Sequence, residues 1–178
     1  MKSEQDKFNE LLKYVIEAPD TRSDREIILM LGLYGEYVVN SLLQDKSKKD
    51  LHKINSQGTK LKILFDLGQI KENEYDVLNK LKQVRNHYAH KLELSENEIA
   101  KIEDWMKGIN MSWYEADKAE EQEKTAREYP FLKFKVACIG LINVLMYRIA
   151  KIKEQIFDTA NIVWMVHGKY VIKLMIKE

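Results

Sequence analysis

Apolar residues along this chain recur mostly at steps of three and four, a spacing that predicts a succession of helices. Phe8, Leu11, Leu12, Val15 and Ile16 mark the first, and Pro19-Asp20 stops it. Ser23 with Glu26 forms a capping-box pair ahead of an apolar stretch from Ile27 to Leu43, which the basic cluster Lys46, Lys48 and Lys49 closes. Gly58-Thr59 opens a short helix from Leu61 to Leu67, and Gly68 stands where a left-handed residue would end it. After Lys71-Glu72-Asn73, Val77, Leu81, Val84 and Tyr88 build one core-facing stripe on a helix that carries Arg85-Asn86-His87-Tyr88-Ala89-His90 near its end.

The second half follows the same period until its last stretch. Ser95 with Glu98 is another capping box, leading into Ile99, Ile102, Trp105 and Met106. The run EADKAEEQEKTARE, residues 115–128, is almost entirely polar and predicts a solvated helix or a connection. Pro130 then precedes a long packed helix from Phe131 to Ile156, on which Phe134, Ala137, Cys138, Leu141, Leu145 and Ile149 keep helical spacing. In NIVWMVHGKYVIKLMI the period changes: β-branched residues flank His167-Gly168 while Tyr170, Ile172, Leu174 and Ile176 alternate, which predicts a short two-stranded hairpin. The expectation is a mainly α antiparallel bundle in a single domain over 1–178, with the helix and hairpin in 131–178.

Composition supports that picture. The chain has 178 residues, of which 45% are hydrophobic, enough for one buried core, and only 7 Gly and 2 Pro, too few for turn-rich β architecture. Lys plus Arg number 29 against 28 Asp plus Glu, so no global field marks a nucleic-acid or membrane binder and any anionic partner must be met locally. The single cysteine, Cys138, leaves no internal disulfide, and the charged start MKSEQDKFNELLKYV lacks a basic region followed by an apolar signal segment. The apolar run from Val136 to Tyr147 falls short of the roughly 20 residues of a membrane span. A cytoplasmic location without membrane attachment is the expectation.

The chemistry concentrates on the helix ending at His90. At about 100° per residue, Asn86 and His90 share a face roughly opposite the Val77-Leu81-Val84-Tyr88 stripe, with Arg85 and His87 on the flanks. An imidazole titrates near neutral pH, so His90 could take a proton from a ribose 2′-hydroxyl, and Arg85 could hold the phosphate bidentately against its growing charge. Asn86, one turn before His90, could orient the ring or the substrate. An arginine and a histidine near a helix end also serve simply to meet the last carbonyls and the helix dipole.

The segment KLKILFDLGQIKENEYDVLNKLKQVRNHYAH resembles the HEPN superfamily, whose hallmark is R-N-x-x-x-H near the end of a helix. Arg85, Asn86 and His90 match it residue by residue. Its pattern is most similar to the mannitol operon repressor-like branch: Lys62, then Leu67-Gly68-Gln69-Ile70, then Arg85 to His90, over about residues 25–95. The resemblance implies a helical bundle that forms a homodimer and brings two motifs together in a cleft. In catalytic members that cleft is a metal-independent endoribonuclease site that cuts single-stranded RNA by 2′-hydroxyl attack. On this basis Arg85, Asn86 and His90 would be catalytic and His87 and Lys91 would bind substrate, with no cofactor and no metal. Such a protein would act as a toxin or defence factor with a cognate antitoxin or regulatory protein. The repressor-like branch implies the alternative, a non-catalytic transcriptional regulator or interaction module. That pattern ends soon after its histidine, whereas about half of this chain follows His90, and His87 is an extra histidine within the motif.

Other residues have plainer readings. His87 and His90 stand three apart without a third ligand at a diagnostic spacing, so no metal site is expected. Cys138 lies in an apolar helix and reads as an inert core thiol. No Gly-rich phosphate loop is present. Trp105, Trp113 and Tyr114 read as packing residues before base-stacking ones.

Overall fold

The computed structural model describes residues 2–16, 23–46, 54, 56–91, 95–107, 130–155, 162–166 and 170–174. These residues hold helices α1 (Glu4–Ile16), α2 (Asp24–Lys46), α3 (Gln57–Asp66), α4 (Glu72–His90), α5 (Glu96–Lys107) and α6 (Pro130–Ile152), followed by strands β1 (Ile162–Val166) and β2 (Tyr170–Leu174). The polar run 115–128 lies outside the described residues.

Helix α6 is the axis of the bundle, packing against α1, α2, α4 and α5. Its sequence explains why: no charged residue occurs between Lys135 and Arg148, and a helix that is apolar on all sides is stable only when covered on all sides. Val136, Ala137, Ile139, Leu141, Ile142, Leu145 and Met146 are all buried. Each large apolar side chain buried this way contributes on the order of 1.5–3 kcal/mol. The neighbours supply matching stripes: Phe8, Leu11 and Val15 from α1, Ile27, Leu31, Val38 and Leu42 from α2, and Val77, Leu81 and Val84 from α4. Asn143 interrupts the pattern. It is fully buried on α6, and neither atom of its side-chain amide has a hydrogen-bond partner among the described residues.

The helix ends follow local chemistry. Ser23 and Glu26 bond reciprocally, the Ser23 N–H donating to Glu26 Oε2 at 2.8 Å and the Glu26 N–H to Ser23 Oγ at 3.3 Å. At the start of α5 the Ser95 N–H donates to Glu98 Oε2 at 3.0 Å. Helix α3 closes on Gly68, whose φ of 65° allows the Gln69 N–H to reach the Leu64 carbonyl at 2.9 Å. The same closure shortens α6, which ends at Ile152 and not at Ile156. Glu154 takes a φ of 54° and the Gln155 N–H bonds back to the Ala150 carbonyl at 2.8 Å, a left-handed stop made without glycine.

By length and composition α2 is long and apolar enough to cross a membrane over Asp24–Gln44, although single polar residues interrupt its apolar run. Here that apolarity is spent on α4 and α6. Polar ties add register between elements far apart in sequence. The buried Glu4 carboxylate of α1 accepts hydrogen bonds from Tyr37 of α2 at 2.7 Å and from Lys153, beyond α6, at 2.9 Å. Glu74, at the start of α4, is gripped by Arg148 of α6 through two hydrogen bonds of 2.6 and 2.9 Å. Strands β1 and β2 pair antiparallel, Ile162 opposite Leu174, Trp164 opposite Ile172 and Val166 opposite Tyr170, as the alternation in the sequence predicts.

Candidate functional site

Helix α4 lies antiparallel against α2, and two glycines set how close it comes. A Cβ at Gly35 would stand 3.1 Å from Leu81 Cδ2, and one at Gly32 would stand 2.6 Å from Arg85 Cγ. The Arg85 stem therefore lies across the backbone of α2, covering the gap left by the missing side chain. One turn along α2 from Gly32, Glu36 meets the guanidinium, with Arg85 Nη2 3.2 Å from Glu36 Oε1. Arg85 Nη1 donates to Asn86 Oδ1 at 3.3 Å. Glu36, Arg85 and Asn86 thus form a short chain of contacts in which the arginine charge is met by a carboxylate of the same molecule.

The other residues of the motif are held differently. His87 lies edge-on to Trp105 of α5, the ring centroids 5.2 Å apart at 64°. Lys101 stands over the opposite partner in this contact, 5.3 Å from the Trp105 centroid. Lys91, just past the end of α4, forms an ion pair with Glu98, the capping carboxylate of α5. That contact, with the hydrogen bonds from Ser95, holds the Glu98 carboxyl down at about 2. His90 is exposed, off the buried Val77-Leu81-Val84 stripe, and has no hydrogen bond or ion pair among the described residues. Tyr88 packs half-buried against the core, and burial raises its hydroxyl above the ordinary tyrosine value.

The structure thus brings Arg85 and Asn86 together, commits His87 and Lys91 to α5, and leaves His90 free one turn beyond Asn86. No three metal-ligating side chains cluster among the described residues. Two residues that contact the motif, Gly32 and Glu36, lie outside it in the sequence. The available signal is that Glu36 is the single charged residue between Ile27 and Leu43. A lone carboxylate on an otherwise apolar helix stands out, and here it meets Arg85.

The chemistry open to this arrangement is limited by charge balance. A guanidinium carries five N–H donors, and those of Arg85 that stay unshared lie beside the Glu36 carboxylate that Nη2 meets and the Asn86 oxygen that Nη1 meets. An incoming phosphate would have to displace the carboxylate or accept its repulsion. On the same two helices Leu33, adjacent to Gly32 on α2, is 54% exposed and Ala89 on α4 is exposed.

No protein-family model matches the chain, and no curated protein matches it. A solved structure similar to it is described as the X-ray structure of the MtlR-HPr complex from Escherichia coli. The matched chain there is 18% identical, and the alignment covers 83% of this chain and 99% of that one with a TM-score of 0.47. A likeness at that level decides neither fold nor function, and the HEPN resemblance rests on the R-N-x-x-x-H residues themselves.

Proposed function

We propose that this chain is a non-catalytic regulatory interaction module that docks a protein partner on the face formed by α2 and the end of α4. The observation that carries this reading is the Arg85 to Glu36 ion pair at 3.2 Å, which turns the most basic element of the motif into an internal tie. His87 and Lys91 are likewise engaged with Trp105 and Glu98. What α2 and the end of α4 offer outward includes the exposed Leu33, Ala89 and His90 and the half-buried Asn86, apolar and polar groups of the kinds that protein-docking surfaces combine.

The alternative is a metal-independent endoribonuclease acting on single-stranded RNA, with His90 as general base. The observation that favours it is the exposure of His90 one turn from Asn86. Incubating the purified chain with single-stranded RNA, with and without chelator, separates the two. The docking reading predicts no cleavage above a protein-free control, unchanged folding of His90→Ala, and loss of partner capture by a folded Leu33→Glu variant. Chelator-resistant cleavage by the wild type that His90→Ala abolishes would overturn it in favour of the nuclease.

A further inference from the structure

Strands β1 and β2 form a two-stranded sheet, and among the described residues each has the other as its sole strand neighbour. Such a ribbon leaves two edges of unpaired backbone groups, and an isolated pair of strands is marginally stable in water. The register puts Ile162, Trp164 and Val166 on one face with Leu174, Ile172 and Tyr170, and puts Val163 and Met165 on the other with Lys173 and Val171. Both faces are therefore dominated by apolar residues. This composition suits a strand inside a larger sheet, where both faces are covered, better than a free hairpin.

The two edges differ. Strand β2 carries Lys173, and a lysine on an edge strand is a common device against further pairing. Strand β1, Ile-Val-Trp-Met-Val, has no charge, no proline and no glycine. It is also self-complementary. Antiparallel pairing of β1 with its own copy, centred on Trp164, would set Ile162 opposite Val166 and Val163 opposite Met165, with every cross-strand pair apolar and no like charges opposed.

We infer that β1 is a homotypic interface: two copies of this chain join their ribbons edge to edge along β1 into a four-stranded antiparallel sheet ordered β2-β1-β1-β2, with the lysine-bearing strands outermost. This pairing continues the backbone hydrogen bonding of the ribbon and satisfies the two inner edges together, leaving the two guarded ones outside. It is a two-fold arrangement, as closed dimers require. It involves neither α2 nor α4, so its success or failure is independent of the docking reading above.

The test is sedimentation of the full-length chain, 21.0 kDa, between roughly 1 and 100 μM. The wild type should sediment as a dimer. Met165→Lys, which puts a charge on the pairing strand, should weaken association about tenfold or more. Val171→Lys, directly opposite Met165 in the same ribbon and so a matched insult to the hairpin itself, should leave the dimer in place. As a second readout, Trp164→Cys places a thiol at the proposed two-fold axis, where neighbouring strands bring Cα atoms within disulfide range, while the native thiol Cys138 is buried. Oxidation should convert that variant to a covalent dimer and should leave Ile172→Cys monomeric on denaturing gels. A monomeric wild type, a dimer indifferent to Met165→Lys, or equal cross-linking at positions 164 and 172 would overturn the proposal.

Discussion

Replacing Gly32 by alanine sets two effects of known sign against each other. In an exposed helix the change is favourable by about 1 kcal/mol, because alanine loses less backbone freedom than glycine. At Gly32, however, the new methyl would stand 2.6 Å from Arg85 Cγ and 3.2 Å from Arg85 Cβ, where carbon atoms normally keep about 3.5–4.0 Å. Cβ is fixed by the backbone of α4, and Cγ moves only by a change of χ1 that would carry the guanidinium away from Glu36. Overpacking of this kind costs roughly 1–3 kcal/mol, so Gly32→Ala should destabilise the chain by about 1 kcal/mol net. In an Arg85→Ala background the closer of the two contacts is gone, and the same change should be neutral or stabilising by up to about 1 kcal/mol. Urea unfolding of the four proteins gives the coupling energy, expected at about 1–3 kcal/mol. If Gly32→Ala stabilised both backgrounds equally, the Arg85 stem would not lie against α2, and the placement of Arg85 beside Glu36 would fall with it.

Four further outcomes follow from the core and its polar ties. Arg148→Met should cost about 3 kcal/mol in chemical denaturation, because it leaves the nearly buried Glu74 carboxylate unpaired, and adding Glu74→Gln should recover most of that loss. Asn143→Leu should raise stability by about 1 kcal/mol, since it removes a buried amide with no hydrogen-bond partner among the described residues and keeps the branched shape of the side chain; a drop in the unfolding midpoint would show that the site needs the amide. Burial alone would raise the Glu4 carboxyl, yet the hydrogen bonds from Lys153, Tyr37 and Lys7 outweigh it and hold the group below its ordinary 4.5. A carboxylate lowered in the folded state adds stability that is complete above its unfolded value and is lost as pH falls through the folded one, so wild type should lose stability below about pH 4.5 more steeply than Glu4→Gln. Cys138 is buried and its thiol is pushed far above the usual range, so a thiol reagent should label it only at the rate of unfolding, whereas rapid labelling under native conditions would place it at the surface.

The helices are legible in the sequence because the outer ones bury one broad stripe and α6 is a long uncharged apolar run, and capping pairs such as Ser23 with Glu26 and Ser95 with Glu98 mark where two of them start. The hairpin is legible for the complementary reason, a change from helical spacing to alternation around His167-Gly168. The end of α6 is not, because its left-handed stop falls on Glu154, a residue type that seldom takes that conformation. The motif shows a similar division. That Asn86 and His90 stand off the core stripe follows from angular arithmetic on one helix, and both lie off it. That Arg85 is spoken for by Glu36 depends on how α2 crosses α4, which no single-helix argument contains.

That difference bears on what a short motif can establish. Residues on one helix fix a pattern of faces, but chemistry depends on what the neighbouring helix brings to those faces, and on this chain α2 brings a glycine and a carboxylate. The glycine lets the arginine in close and the carboxylate meets its charge, so Arg85, which could clamp a phosphate, here links α4 to α2. Comparable ties recur at Glu4 with Tyr37 and Lys153 and at Glu74 with Arg148, each joining elements whose apolar stripes alone would tolerate sliding by a turn. Hydrophobic burial supplies most of the free energy here but says little about register, whereas a carboxylate with one buried or half-buried partner accepts a single alignment. The Arg85 to Glu36 contact also joins two helices, but at 3.2 Å it is longer and its carboxylate is 33% exposed, against 1% at Glu4 and 6% at Glu74. Separating its structural role from a functional one therefore requires stability and activity to be measured on the same variants: Glu36→Gln should lower stability by up to about 1 kcal/mol if the pair is a tie. If instead it released Arg85 for phosphate, the same variant would gain RNA cleavage, and the docking assignment would give way.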